Sequence, residues 1–217
     1  GPAMVRRALE GLGLGEGDRV VELAPGLGLT SRAVRAAGPR TWTAVEPDPL
    51  GAEHLRRALG GPGREVLAVP VHATGLPEGE ASVVVVDGLL STLDPAGRAV
   101  VLSEAARLLR AGGRVAIHEL APAPGGAGAD LDRVRGAGLD PLAEGDWRAA
   151  VESAGLVVVG SLTGPLDLPE QRELMREAGP RGALRITRPM APAPGFPAGP
   201  LRAPQAPEPP AVGLPPR

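Results

Sequence analysis

The stretch VVELAPGLGLTS, Val20–Ser31, decides how this chain is read. A short β-branched run ends in a carboxylate, Glu22. A loop with Gly26 and Gly28 follows at once, and a helix-like segment begins at Thr30. β-Branched residues favour strands, and glycine lacks the Cβ that would keep a ligand off the backbone. In an open parallel sheet, ligands bind beyond the carboxyl ends of the strands. Glu22 and the loop Ala24–Gly28 fall there.

The same alternation continues outward from that stretch. Strands are expected at Arg19–Leu23, Thr41–Val45, Glu65–Pro70, Ser82–Asp87, Arg114–Glu119 and Leu156–Leu162. Helices are expected at Met4–Leu12, Thr30–Ala37, Leu50–Leu59, Pro95–Leu109, Asp146–Ala154 and Pro169–Ala178. Gly38, Gly60, Gly112 and Gly155 sit where helices should stop. Strand–helix alternation implies an α/β, Rossmann-like three-layer sandwich with a mostly parallel sheet. The unbroken run Val83–Val86 suits a central strand buried on both faces. Pro70 suits a sheet edge or a strand end. ALRITRP, Ala183–Pro189, reads equally as a last strand or a helix end.

Two parts are expected: a domain over Met4–Arg188 and a Pro-rich tail over Pro189–Arg217. The tail's composition cannot build a core, so it reads as a flexible extension or as a docking strip for a partner or another subunit. Gly1-Pro2-Ala3 ahead of Met4 resembles a protease-cleavage scar.

Composition narrows the chemistry. The chain has 217 residues with a formal net charge of −2, acids and bases being interspersed, so no basic stripe for nucleic acid is visible. Lysine is absent while Gly (32) and Pro (26) are abundant, so arginine alone carries the basic charge and single arginines are weak evidence of a phosphate clamp. There is no cysteine, which removes disulfides, thiolate metal sites and cysteine nucleophiles. Three scattered histidines make no metal site. No apolar run spans a bilayer, and a cytoplasmic location is expected.

The carboxylate at the glycine loop selects among ligands. Gly26-Leu27-Gly28 resembles part of a dinucleotide fingerprint, but a pyrophosphate at a helix N-terminus wants positive potential and Glu22 would repel it. That disfavours a nicotinamide oxidoreductase. S-adenosylmethionine carries a sulfonium and an amino group and no phosphate. Glu22 either holds its amino end or braces the loop's own backbone. Thr41–Val45 ends in Glu46, at the spacing where an acid meets a ribose diol. Asp48 is its competitor.

VVELAPGLG, VEPDP, ATGLPEGEASVVVVDGLL and EAARLLRAGGRVAIHEL, taken in order, resemble the class I S-adenosylmethionine-dependent methyltransferases over Arg19–Leu162. The resemblance implies a seven-stranded sheet. It also implies cofactor contacts from Glu22, Ala24, Gly26, Leu27 and Gly28, from Glu46 and Pro47, from His72, Ala73 and Thr74, and from Asp87. Two positions depart from the family pattern. Ala24 stands where the family's loop has its first glycine. VPVHATGLP also lacks the acid that often reads the adenine amino group, which leaves His72 or the backbone near Ala73 and Thr74 to do so.

On the acceptor side, Asp87, His118 and Glu119 end two successive strands and are the catalytic candidates. Side chains alternate along a strand, so one of His118 and Glu119 is expected to face the cleft. His118 is the better base at neutral pH, or a histidine hydrogen-bonded beneath a helix. Asp87 could instead cap a helix near Leu89, and Trp147 reads as a packing anchor. The expected function is methyl transfer to a small-molecule acceptor, without metal. The alternative is a non-catalytic module of the same fold that assembles through its Pro-rich tail.

Overall fold

The computed structural model describes residues 2–122 and 128–164. Five parallel strands form one sheet in the order β3-β2-β1-β4-β5. They are β1 (Arg19–Leu23), β2 (Thr41–Val45), β3 (Arg64–Leu67), β4 (Ala81–Asp87) and β5 (Leu109–His118). The helices are α1 (Pro2–Gly11), α2 (Leu29–Ala36), α3 (Pro49–Leu59), α4 (Pro95–Leu108), α5 (Gly128–Gly136) and α6 (Glu144–Ser153). A 3-10 turn spans Leu90–Thr92.

From β1 the chain steps outward to β2 and β3, then returns to lay β4 on the other side of β1. The strand order therefore reverses between β1 and β4, and a crevice opens above their carboxyl ends. Period-two alternation divides the core. Val21, Leu23, Val45, Val84 and Val86 face α4 and α6. Val20, Trp42, Ala44, Val83 and Val85 face the side of α1, α2 and α3. Both faces of β4 are covered, which is why four consecutive valines are tolerated there.

Two Asp-Pro pairs start helices. Asp48 accepts from the Leu50 and Gly51 amides ahead of α3, and Asp94 accepts from the Gly97 amide ahead of α4. Proline follows each aspartate, where its missing N–H costs nothing. α6 starts earlier than expected, at Glu144, with Asp146 inside its first turn.

The expected helix stop at Gly112 is not one: α4 ends at Leu108 and β5 begins at Leu109. Pairing with β4 shifts register between Leu109 and Arg114, and Gly112, at φ 70°, lies in the extra residues. A Cβ on Gly113 would lie 2.8 Å from the Arg110 carbonyl oxygen. The glycine pair thus makes a bulge that only glycine accommodates.

The expected strand Leu156–Leu162 has no ladder partner among the described residues. Leu156 and Val158 pack on the core, while Val157 and Val159 face outward, 81% and 96% exposed. The side-chain alternation is that of a strand, but a strand needs a neighbour for its hydrogen bonds. The sheet over the described residues accordingly has five strands where seven were expected. The expected helix Pro169–Ala178, the segment Ala183–Pro189 and the Pro-rich tail lie outside the described residues.

Candidate active site

The loop after β1 turns through residues with positive φ: Ala24 at 50°, Gly26 at 58° and Gly28 at 76°. The two glycines serve different ends. A Cβ on Gly28 would meet Leu55 Cδ2 at 2.7 Å and Leu59 Cδ1 at 3.0 Å, so Gly28 lets the loop close onto α3. A Cβ on Gly26 would meet nothing within 4 Å, so that residue borders open space. Leu27 lies between them, half-buried. Ala24 holds a conformation that disfavours any residue with a Cβ.

Glu22 is fully buried. Its Oε2 accepts from Ser31 Oγ on α2 and from Trp42 Nε1 on β2, each at 2.8 Å. Its Oε1 is buried with no hydrogen-bond partner. Burial raises its pKa to about 7; the Trp42 and Ser31 hydrogen bonds oppose this, and the nearby charge of Asp87 adds to it. Glu22 and Trp42 share the α2–α3 face, so the carboxylate sits under the loop rather than on the open rim.

Glu46 lies where β2 ends. Its Oε2 accepts from the Gly26 amide and its Oε1 from the Asp48 amide, both at 3.0 Å. A Cβ on Gly51 would lie 3.0 Å from Glu46 Cγ, so the start of α3 fits closely beneath this acid. Asp48, the competing ribose acid, is the α3 cap. Pro47, between them, is half-buried.

At the ends of β4 and β5, His118 Nδ1 lies 2.7 Å from Asp87 Oδ1. Thr30 Oγ1, in the first turn of α2, donates to Asp87 Oδ2. Burial pushes the Asp87 carboxyl up, but the hydrogen bonds from His118 and Thr30 outweigh it and hold the pKa below its ordinary value. The carboxylate is then ionised and accepts only, so Nδ1 is the donor in this hydrogen bond. The His118 side chain is 34% exposed.

Glu119 turns elsewhere. It accepts from the Leu90 amide at 2.5 Å, the Ser91 amide at 3.0 Å and Ser91 Oγ at 2.5 Å. It thereby caps the 3-10 turn, the role considered for Asp87. Arg98 grips the same turn from the other side: Nε donates to the Leu90 carbonyl at 3.0 Å and Nη2 to Asp140 Oδ2 at 2.6 Å. Its guanidinium lies 5.4 Å from the Trp147 ring centroid. Trp147 packs on the core and donates to the Leu120 carbonyl at 2.9 Å, so it is an anchor.

The β3–β4 crossover carries the expected adenine readers. His72 is half-buried, Ala73 exposed and Thr74 buried. Glu104 on α4 accepts from the Thr74 amide at 3.2 Å and from Thr74 Oγ1 at 2.6 Å.

The structure thus gathers Asp87 and His118, with Thr30, at one end of the crevice, and Gly26 with Glu46 at another. Sequence reading missed Trp42, Ser31, Thr30 and Glu104. The only local signal was a tryptophan inside a strand.

These features suit a nucleoside that bears positive charge and no phosphate. Gly26 is open on its Cβ side, Glu46 borders it, and Glu22 Oε1 beneath the loop lacks a donor. A diphosphate at this turn would lie beside the Glu46 and Asp87 carboxylates. Among the described residues no cluster of three metal-ligating side chains occurs, and no helix is long and apolar enough to cross a membrane.

The fold is a class I methyltransferase architecture. Residues 21–117, from β1 to β5, match the methyltransferase domain family. No curated protein matches the sequence. Among solved structures, one chain of the Haloferax volcanii complex between the Trm112 methyltransferase activator and a methyltransferase is similar at 20% identity. The TM-score is 0.65, covering 76% of this chain and 72% of that one. The mitomycin 7-O-methyltransferase MmcR is similar at 24% identity and TM-score 0.62, over 76% of this chain and half of its own length. A Burkholderia thailandensis 1,6-didemethyltoxoflavin N1-methyltransferase, solved with that compound and S-adenosylhomocysteine, is similar at 22% identity and TM-score 0.59, over 76% of this chain and 72% of its own. At these identities the likeness establishes the shared fold.

Proposed function

We propose that the protein methylates a small organic acceptor whose nucleophilic atom loses a proton as it reacts, with His118 as the base. The observation that carries this reading is the His118–Asp87 contact at the ends of β4 and β5, beside the glycine loop. The small-molecule substrates named for MmcR and the Burkholderia enzyme support the acceptor class by analogy.

When bound, S-adenosylmethionine supplies a methyl carbon already activated by its sulfonium. Gly26 and Leu27 would line its methionine part, Glu46 its ribose hydroxyls, and His72, Ala73 and Thr74 its base, with Glu22 acting from beneath the loop. Ala24, Gly28 and Pro47 would shape that wall. Thr30 fixes the Asp87 carboxylate, and Asp87 fixes the His118 ring with Nδ1 protonated. His118 Nε2 is then ready to take a proton from an acceptor hydroxyl or amine. Much of the remaining acceleration comes from alignment and exclusion of water. Glu119 holds the 3-10 turn that follows β4.

Calorimetry with S-adenosylhomocysteine and methyl turnover against a panel of phenols, amines and carboxylates test the proposal. Saturable binding with turnover of protic acceptors, reduced in His118→Ala, is expected. Full turnover in His118→Ala would overturn the role of the base.

A further inference from the structure

The β3–β4 crossover contains no helix, yet its conformation is fixed by an unusual tie. Glu104, on the buried side of α4 and 8% exposed, reaches the crossover and accepts twice from Thr74, through the amide at 3.2 Å and the hydroxyl at 2.6 Å. Thr74 Oγ1 in turn accepts from the Leu76 amide at 3.2 Å, which closes a tight turn. Arg107 donates to both Glu104 oxygens, Nε to Oε2 and Nη2 to Oε1, each at 2.7 Å. The Gly79 amide donates to the Arg107 carbonyl, so α4 holds the crossover at a second point. Burial pushes the Glu104 carboxyl up, and the hydrogen bonds from Arg107 and Thr74 outweigh it and hold the pKa low, so the acid stays ionised.

A bidentate arginine fixes the carboxylate in plane, and the carboxylate fixes Thr74. Thr74 directly follows His72 and Ala73. The tie therefore fixes the backbone that carries His72 and Ala73, on the segment that has no acid to read an adenine amino group. A flexible segment without that acid would have to order itself around the base at each binding event, and ordering weakens affinity. A pre-fixed one need not.

We propose that Glu104, locked by Arg107, is a positioning residue for the nucleoside base. Acting through Thr74, it holds the His72–Ala73 segment so that ring and backbone polar groups replace the absent acid in distinguishing adenine from other purines. This rests on the cofactor reading above.

The test compares binding of S-adenosylhomocysteine and S-inosylhomocysteine, whose base carries a carbonyl in place of the amino group, together with thermal unfolding. Wild type is expected to prefer the adenine compound. Thr74→Val and Glu104→Gln should weaken adenine binding roughly five- to tenfold, about the worth of one ordinary hydrogen bond, and bring the preference toward unity. Thr74→Ser, which keeps the hydroxyl, should restore both. A lower melting temperature with the wild-type preference retained in both variants would overturn the proposal and leave the tie purely structural. Failure of wild type to bind S-adenosylhomocysteine would overturn the cofactor reading, and this inference with it.

Discussion

Trp42 donates its indole N–H to Glu22 Oε2 at 2.8 Å, and both side chains are sealed from solvent. An acid at the end of β1 is thereby held inside the core by neutral donors from β2 and α2. Among the described residues no cation lowers its pKa, and Oε1 has no hydrogen-bond partner. Such a group favours its protonated form.

Stability should therefore depend on pH through Glu22. Its folded pKa of about 7 lies above its ordinary 4.5, so between those values the folded state binds more protons. Folding stability then falls as pH rises from about 4.5 to 7 and is flat with respect to this group above that. A difference of this size corresponds to roughly 3 kcal/mol. Glu22→Gln mimics the protonated acid and offers an oxygen to both donors. Urea titrations should give similar stabilities for the two proteins near pH 5, and a more stable Glu22→Gln at pH 8. Parallel curves would mean the acid is solvated.

Glu46→Gln keeps one acceptor and loses one, so either the Gly26 or the Asp48 amide loses its bond. S-adenosylhomocysteine affinity should fall roughly tenfold, the size of one charge-assisted hydrogen bond. Hydrogen exchange at the Gly26 amide should rise with it. Unchanged affinity would place the ribose elsewhere.

Ala24→Gly should stabilise the protein. A left-handed conformation costs a residue with a Cβ about 1–2 kcal/mol, while glycine costs up to about 1 kcal/mol through the unfolded chain. The net gain expected in urea unfolding is a few tenths of a kcal/mol to about 1 kcal/mol. A destabilised variant would show that the Ala24 methyl packs usefully.

Gly28→Ala should do the reverse. Its Cβ would overlap Leu55 and the residue would have to adopt φ 76°, so the Leu55 and Leu59 side chains, or α3 with them, would have to shift. Overpacking of this kind costs about 1–3 kcal/mol, with the strain added. Gly26→Ala, which meets no protein atom, should unfold closer to wild type yet bind S-adenosylhomocysteine poorly. Equal effects on both properties in both variants would erase the distinction between the two glycines.

His118→Ala and Asp87→Asn should each lower turnover of protic acceptors by about 10²-fold or more, the usual contribution of a positioned base. S-adenosylhomocysteine affinity should be nearly unchanged in His118→Ala. A large loss of affinity there would make His118 a cofactor residue.

What could be read in the sequence was local. VVELAPGLGLTS, TAVEP and Val83–Val86 announced strands, a bare turn and acids at strand ends, because period and residue type act over neighbouring positions. The Asp-Pro helix starts are local too, although only the structure separates Asp48 as cap from Glu46 as rim acid. What escaped was long-range. Trp42 meets Glu22 across 20 positions, and Glu104 meets Thr74 across 30. Nothing near either residue announces its partner. Gly112 was read as a helix stop because the rule concerns what precedes a glycine, whereas here the glycine serves the strand that contains it.

The short turn at Leu90–Thr92 is clasped at its amides by Glu119 and at the Leu90 carbonyl by Arg98. All these bonds fall on Leu90 and Ser91, so the turn is fixed at its start. Its shape is therefore set jointly by the residue after β5 and by α4, before any ligand arrives.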